Sequence, residues 1–207
     1  MVMNKIYVWD PVVRIFHWSL VTAFLVAYIT GDDESLIHNN AGYVILALIS
    51  IRVIWGFIGT RHARFTDFIT APQKAIQYFR DLVTGQKVRD YRGHNPVGGW
   101  MVLALLFSLL LTVYSGLKME EMEGRGLLAA ANSAPTYQQG FIISTARADD
   151  DEDEHDEEHD GHEFWEEVHE FFANFTVFLV VLHIAGVLLG CYRHKVNLIK
   201  AMFTGYK

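Results

Sequence analysis

Four blocks of about 20 apolar residues constrain this chain more than any other feature of its sequence. Three of them, 15–31, 97–117 and 171–192, contain no Asp, Glu, Lys or Arg, and the fourth, 39–60, contains only Arg52. A helix of about 20 apolar residues spans the hydrocarbon layer of a bilayer. We therefore predict an all-α integral membrane protein, whose single membrane domain (1–207) is a bundle of four transmembrane helices at about 12–31, 39–60, 97–117 and 169–192.

The distribution of basic residues predicts the orientation of this bundle. Of the 17 Lys and Arg residues, 13 lie before the first span, between the second and third spans, or after the fourth. Cytoplasmic connections carry such an excess, so both termini and the 61–96 connection should face the cytoplasm of a bacterial inner membrane. Within that connection, apolar residues recur at helical spacing over about 72–83, which predicts a helix lying on the membrane surface. The 118–168 connection should then be a long periplasmic loop.

Four of the ten histidines fall at matching depths in this topology. His17 lies in the first span, His38 at the start of the second, and His169 and His183 in the fourth. His169 and His183 are 14 residues apart, which places them on one helix face, about 21 Å apart along its axis. His17 and His183 should share the inner level and His38 and His169 the outer level. Ionisable side chains inside membrane spans are costly and usually functional.

Two imidazoles that face each other at one level are the axial ligands of a six-coordinate haem iron. We therefore predict two non-covalent b-type haems, one held by His17 and His183 and one by His38 and His169. Cys191 is the single cysteine, which excludes covalent attachment through a C-x-x-C-H motif and any disulfide within the chain. A non-haem metal or proton transporter is an alternative, although it would require more polar residues in the spans than this sequence has.

Arg52 is the one formal charge deep in a span, at the inner level. It should neutralise a propionate of the inner haem; the alternative is that it extends toward lipid headgroups. Glycines beside the histidines, such as Gly42 and Gly186, would let a flat macrocycle approach the backbone, or would serve close helix–helix contact instead. The basic residues form no stripe of the kind that binds nucleic acid. The apolar spans indicate the lipid bilayer as a partner.

Several segments resemble the bacterial cytochrome b561 family, in the branch of the nickel-iron hydrogenase cytochrome b subunits, which is similar in plan to the formate dehydrogenase gamma subunits. They are VRIFHW at 13–18, IRVIWGFIGTRHARF at 51–65, YRGHNPVGGWMVLALL at 91–106 and HEFFANFTVFLVVLHIAG at 169–186. The resemblance covers nearly the whole chain except 119–163. It implies a four-helix diheme cytochrome in which His17, His38, His169 and His183 match the axial ligands, and it leaves His94 as a structural or quinone-proximal residue.

The resemblance implies electron transfer between the quinone pool and a periplasmic redox partner, such as a cytochrome c or another redox subunit. We expect an electron-transfer subunit of an oxidoreductase rather than a self-contained enzyme. The rival function is a haem-based oxidoreductase at the outer surface that oxidises superoxide or reduces ferric iron. The sequence leaves open the redox partner, the direction of electron flow, the type and side of the quinone, and whether the chain forms an oligomer.

The outer loop departs from the family. Residues 149–163 hold 11 of the 24 acidic residues, together with three further histidines, His155, His159 and His162. Because 149–162 contains almost no apolar side chains, we expect it to be disordered. An acidic strip can steer a basic partner electrostatically; specific metal binding and the absence of any specific role are the alternatives.

Overall fold

A computed structural model of the chain describes residues 6–31, 35–86, 90–91, 93–132 and 151–207, with backbone alone for 151–160. This part of the chain forms eight α-helices and one 3₁₀ turn, Arg61–Ala63, and contains no β-strand. The α-helices are α1 (Pro11–Ile29), α2 (Leu36–Ile58), α3 (Phe65–Phe68), α4 (Pro72–Val83), α5 (Pro96–Met122), α6 (Gly126–Asn132), α7 (Asp151–His194) and α8 (Leu198–Thr204).

Four helices are long and apolar enough to cross a membrane, namely α1, α2, α5 and the Gly161–His194 part of α7. The prediction of an all-α fold with four candidate membrane spans is therefore confirmed. Three of the four long helices begin at a side-chain cap: Asp10 caps α1, Ser35 caps α2 and Asn95 caps α5 by accepting a hydrogen bond from the backbone of the first turn. Pro follows the cap in α1 and α5, where its missing N–H costs nothing.

The fourth long helix extends well beyond its apolar block. It has 44 residues and is therefore about 66 Å long, roughly twice the hydrocarbon thickness of a bilayer. The sequence predicts disorder over 149–162, whereas the backbone is helical from Asp151; residues 149 and 150 lie outside the described ranges. Glu has high helix propensity and acidic residues are favourable in a first turn, which gives a physical reason for the difference.

The long helices pack as two pairs joined through α5. The α1 helix packs on α2, α7 packs on α5, and α2 meets α5 over a smaller area. A buried apolar cluster of Ala23, Ile45, Ile49, Leu109 and Val113 holds α1, α2 and α5 together. The buried Ser108 and Thr176 hydroxyls, 2.7 Å apart, connect α5 to α7. Within the described ranges, neither α1 nor α2 packs closely on α7, so the helices that carry the paired histidines stand apart.

The first and last described residues, Ile6 and Lys207, lie at one end of the bundle, which we call the termini end. Ile6 and Lys207 exchange two backbone hydrogen bonds, and Val8 and Trp9 pack in a buried cluster with Ala201 of α8. The α2–α5 connection lies at the same end, as an even number of crossings requires. The end of α1, the start of α2, the end of α5 and α6 lie at the opposite end.

The α4 helix has the same bounds as the predicted surface helix. It buries Tyr78 and Leu82 toward α5 and leaves Ile76, Phe79 and Val83 exposed. An exposed apolar stripe beside a polar one is what a helix in the bilayer interface requires. Its location on the membrane surface stays a prediction.

Candidate functional site

His38 and His169 meet at the opposite end of the bundle. Their ring centroids are 5.9 Å apart and the ring planes are inclined by 68°. His38 lies in the first turn of α2, where its backbone N–H donates to Ser35 Oγ at 3.3 Å. His169 lies on α7. Two helices that do not pack closely on each other thus bring two imidazoles together.

The hydrogen bonds of these two rings select the tautomer that a metal requires. His38 Nδ1 is 2.9 Å from the Ala27 carbonyl oxygen of α1, and His169 Nδ1 is 2.9 Å from the Thr112 carbonyl oxygen of α5. A carbonyl oxygen only accepts, so Nδ1 of each ring carries the hydrogen and donates it. The neutral ring then has its lone pair on Nε2. Metal-ligating histidines usually donate their second N–H to such an acceptor.

The distance between the two rings agrees with one iron between them. A bond between a metal and an imidazole nitrogen is about 2 Å, as in zinc sites. Two such bonds in line place the ring centroids about 6 Å apart. The observed 5.9 Å is close to this spacing. The outer histidines therefore fit the axial-ligand pair of a haem in distance and in tautomer.

Glycines beside the histidines leave room for a flat group. A Cβ built at Gly42, one turn after His38, has no other atom within 4 Å, and the same holds for Gly186, three residues after His183. Gly116 has a different role, because a Cβ there would lie 3.2 Å from His169 Cε1. Neither Gly42 nor the exposed Gly186 is held against another element at this position, which is compatible with a macrocycle approaching the backbone.

His17 and His183 form the second predicted pair, nearer the termini end. They are close enough to interact electrostatically, although their two rings, both described, are not in contact. The Nδ1 atom of His17 is buried and has no hydrogen-bond partner in the described part of the chain. A buried polar atom without a partner is costly. His17 therefore lacks the Nδ1 hydrogen bond that orients each outer histidine, and the inner ligand pair stays a prediction.

Arg52 is buried inside the protein, with 3% of its surface exposed. Its guanidinium carbon lies 5.2 Å from the ring centroid of Phe65 and 5.9 Å from that of Phe68. The Nη1 atom has no hydrogen-bond partner among the described residues. The carboxylate of Asp10, which acts on Arg52 electrostatically, already accepts hydrogen bonds from Val13 and Trp55. A guanidinium with an unpaired nitrogen suits an anionic group such as a haem propionate.

His94 lies between two aromatic rings beside this arginine. Its ring centroid is 4.6 Å from Trp9 and 4.6 Å from Phe68. Burial lowers the pKa of His94 to about 3, and the positive charge of Arg52 acts in the same direction. His94 is thus neutral at physiological pH, and its buried Nδ1 lacks a partner within the described ranges.

One polar cluster at the termini end was not predicted from the sequence. It joins His194, the last residue of α7, to Tyr78 and Asp90. These residues are separated by 116 and 104 positions, so no local pattern could have indicated the contact. The Ser115 hydroxyl, 3.2 Å from His169 Nδ1, was also missed, since an isolated Ser in an apolar helix carries no signal of its own.

The histidines of the acidic loop are only partly described. His162 Nε2 is 3.6 Å from a carboxylate oxygen of Glu123, while the side chains of His155 and His159 lie outside the described residues. Among the side chains that the structure describes, no group of three or more His, Cys, Asp or Glu is placed to hold a metal ion.

Comparison with known proteins gives one family and a set of distant relatives. The family model described as prokaryotic cytochrome b561 matches residues 8–205. The chain is similar to the probable Ni/Fe-hydrogenase B-type cytochrome subunit of Rhizobium leguminosarum bv. viciae, with 25% identity over 59% of this chain and 62% of that protein. The corresponding protein of Azotobacter vinelandii is 26% identical over 46% of this chain and 50% of its own length. The probable Ni/Fe-hydrogenase 1 B-type cytochrome subunit of Escherichia coli (strain K12) is 26% identical over 44% of this chain and 50% of its own length.

The chain thus spans between half and 62% of the length of these relatives. No solved structure matches it.

Proposed function

Because this chain belongs to the prokaryotic cytochrome b561 family, we propose that it is a diheme b-type cytochrome that conducts electrons across the bacterial inner membrane. It would connect a quinone with a redox protein on the periplasmic side. The proposal extends what the family implies, which is a membrane-integral, haem-based electron-transfer protein.

The observation that carries the proposal is the outer histidine pair. His38 and His169 are spaced for one iron, and the carbonyls of Ala27 and Thr112 hold both rings with Nε2 free for coordination. A haem supplies reversible one-electron chemistry when bound. The chain would supply the ligands, their orientation and a water-poor surrounding. The inner site would use His17 and His183, and Arg52 would balance the charge of a propionate.

We place the termini end in the cytoplasm because it contains most of the basic residues. The quinone would bind at this end, near Arg52 and His94, where two aromatic rings, Trp9 and Phe68, flank the imidazole. Labelling of single cysteines introduced at 145–148 tests the orientation. Reagents that do not cross the membrane should reach them from the periplasm; protection there would reverse the orientation and both haem levels.

The periplasmic partner is a redox subunit or a cytochrome c. The names of the relatives place those proteins with Ni/Fe hydrogenases, which supports a hydrogenase redox subunit. The acidic residues of 149–163 instead favour a basic cytochrome. Deletion of 149–162 should slow electron exchange with a basic cytochrome c more at low salt than at high salt. An unchanged rate and salt dependence would exclude this docking role.

The rival function, a surface oxidoreductase, has less support. Oxidation of superoxide would be favoured by a basic outer surface, because the substrate is an anion. The described residues at the opposite end include the acids Glu120, Glu121, Glu123 and Glu167. A steady-state assay with superoxide should therefore give no turnover beyond that of free haem. This charge argument does not apply to ferric iron, and an assay with ferric chelates tests that substrate separately.

Reduction of the haems by a quinol tests the proposed function. The purified protein, loaded with haem, is mixed with a reduced water-soluble quinol and its absorption spectrum is recorded. The bands of reduced b-type haem should appear without any other protein present. If the quinol leaves the haems oxidised while dithionite reduces them, the link to quinone is wrong.

A further inference from the structure

Tyr43 and Glu120 connect the two helix pairs of the bundle at its opposite end. The Tyr43 hydroxyl of α2 donates a hydrogen bond to the Glu120 carboxylate of α5. His38 belongs to the α1–α2 pair, and His169 belongs to the α5–α7 pair. The hydrogen bond therefore joins the pair that carries one proposed ligand of the outer haem to the pair that carries the other.

This hydrogen bond lies close to the level of the outer histidines. Tyr43 follows His38 by five residues, about 7.5 Å along α2, and a long side chain on a helix points back toward the helix N-terminus. The hydroxyl thus returns toward the level of His38. On α5, Glu120 follows Gly116 by one turn, and a Cβ at Gly116 would lie 3.2 Å from the imidazole of His169. Each end of the hydrogen bond is therefore near a proposed ligand.

Apolar packing holds the two pairs together at another depth. The buried cluster that joins α1 and α2 to α5 includes Ile45 and Val113. It lies farther from the opposite end than the hydrogen bond, because Ile45 follows Tyr43 on α2 and Val113 precedes Glu120 on α5. Within the described ranges, α2 does not pack closely on α7. The hydrogen bond therefore fixes the separation of the pairs beyond the apolar cluster, where the outer histidines lie.

Gly126 lets the main chain pass close to this hydrogen bond. Its φ is +78°, a conformation that favours glycine. A Cβ there would lie 2.6 Å from Glu120 Oε2 and 3.1 Å from the Tyr43 hydroxyl oxygen. The backbone N–H of Arg125 also donates to the Glu120 carbonyl oxygen at 2.8 Å. Because the chain covers the pair, water is kept away and the hydrogen bond is stronger than an exposed one.

The end of α5 carries a negative charge beside the outer site. Lys118 Nζ is 2.6 Å from Glu121 Oε2, and the Arg125 guanidinium pairs with Glu123. The Glu120 carboxylate accepts instead from the neutral hydroxyl of Tyr43. Over 118–125 the three acids exceed the two cations by one.

We propose that Tyr43 and Glu120 are positioning residues of the outer haem, an inference that rests on the proposed function. Their hydrogen bond fixes the distance between His38 and His169, and hence the axial geometry of the iron. The Glu120 carboxylate also stabilises the ferric state, which carries one positive charge more than the ferrous state, and so lowers the reduction potential. The two haems thus face charges of opposite sign, Glu120 at the outer level and Arg52 at the inner level.

A purely structural brace would hold the helices together without acting on the iron. Its loss would lower the stability of the protein but leave the spectrum and the potential of the outer haem unchanged. Two variants separate the hydrogen bond from the charge. Glu120→Gln removes the charge, while the amide oxygen still accepts from the Tyr43 hydroxyl. Tyr43→Phe removes the hydrogen bond and keeps the charge.

Electron paramagnetic resonance of the haem-loaded full chain in nanodiscs tests the geometry. The two ring planes are inclined by 68°, so the outer haem should give a strongly anisotropic low-spin signal. Tyr43→Phe should shift or broaden this signal and weaken binding of the outer haem about tenfold, while the inner signal stays as in the parent protein. Tyr114→Phe, which removes a hydroxyl from a residue of α5 that is 46% exposed, should match the parent. An unchanged outer signal and affinity in Tyr43→Phe would overturn the positioning role.

Redox titration of the same samples tests the charge. Glu120→Gln should keep the outer signal and raise the potential of the outer haem. The control is Glu167→Gln, because Glu167 precedes His169 by only two residues but is exposed to water, which screens its charge. Its effect on the potential should be much smaller. An unchanged potential in Glu120→Gln, or an equal rise in Glu167→Gln, would overturn the proposed action of Glu120 on the iron.

A third readout does not require haem. Spin labels on Ile29→Cys of α1 and Phe164→Cys of α7, two exposed positions, report the distance between the helix pairs in a Cys191→Ser background. Before haem is added, double electron–electron resonance should give a broader distance distribution in Tyr43→Phe than in the parent or in Tyr114→Phe. An equally narrow distribution would overturn the proposal.

These readouts also separate the inference from the proposed function. If the parent protein binds no haem at the outer histidines, the proposed function fails. The distances between the spin labels still decide whether Tyr43 and Glu120 hold the two pairs at a fixed separation.

Discussion

The main-chain oxygen of Thr112 lies 2.9 Å from His169 Nδ1, so a helix that carries no proposed ligand orients one. This contact needs α5 and α7 to be close, and Gly116 permits it. A Cβ at Gly116 would lie 3.2 Å from His169 Cε1 and 3.3 Å from Nδ1. The close packing of α5 on α7 thus has a direct consequence for the outer site.

Gly116→Val should remove the outer haem and leave the inner one. The added methyl groups displace the His169 imidazole from Thr112 and from the coordination axis. The haem-to-protein ratio should fall to about one, as measured by the pyridine haemochrome assay. Phe107→Val, at an exposed position of the same helix, is the control and should retain both haems. If Gly116→Val still binds two haems, His169 does not require a glycine at position 116 in order to coordinate the outer haem.

Arg52→Gln should lower the reduction potential of the inner haem. A buried positive charge stabilises the reduced iron, which carries one charge less. At the effective dielectric constant of a protein, removal of this charge should shift the potential by roughly 50 mV. Redox titration followed by absorption measures the shift, and Arg52→Lys, which keeps the charge, should largely prevent it. An unchanged potential in Arg52→Gln would place the guanidinium away from the haem.

His94 should make the protein less stable as the pH falls. Its pKa is about 3 in the folded state and about 6.5 when unfolded. The unfolded state therefore binds the extra proton below pH 6.5, and stability is lost from that pH downward. Between pH 6.5 and 5 the loss should be about 1–2 kcal/mol, measured as a lower temperature of haem release. His94→Gln should make the temperature of haem release less dependent on pH. If that temperature falls as steeply in His94→Gln as in the parent protein, other groups cause the pH dependence.

Asp10→Ala should destabilise the termini end more than Asp10→Asn. The carboxylate caps α1 through the Val13 N–H and also accepts from the Trp55 indole and the Thr60 hydroxyl. Loss of a cap costs about 1 kcal/mol, and each buried donor left without a partner costs about 1–3 kcal/mol more. Thermal unfolding followed by circular dichroism compares the two variants. Equal melting temperatures would mean that the cap contributes little.

The sequence predicts the four helices and the depth of the histidines because depth in a membrane is a one-dimensional quantity. Residue count, a rise of about 1.5 Å per residue and the distribution of basic residues are enough to place His169 and His183 at two levels of one helix. The contacts of His194 with Tyr78, or of Arg52 with Phe65, depend on how distant connections fold over the helix ends. They have no local signature. The start of α7 was missed because its acidic residues suit either a disordered chain or an exposed helix.

Bis-histidine coordination of two haems is the central claim, and electron paramagnetic resonance of the oxidised protein tests it most directly. Two histidines on each iron make it six-coordinate and low-spin. The spectrum should show low-spin ferric signals that integrate to two spins per chain, with no high-spin signal. A count of one spin per chain, or a high-spin signal of comparable intensity, would contradict the account.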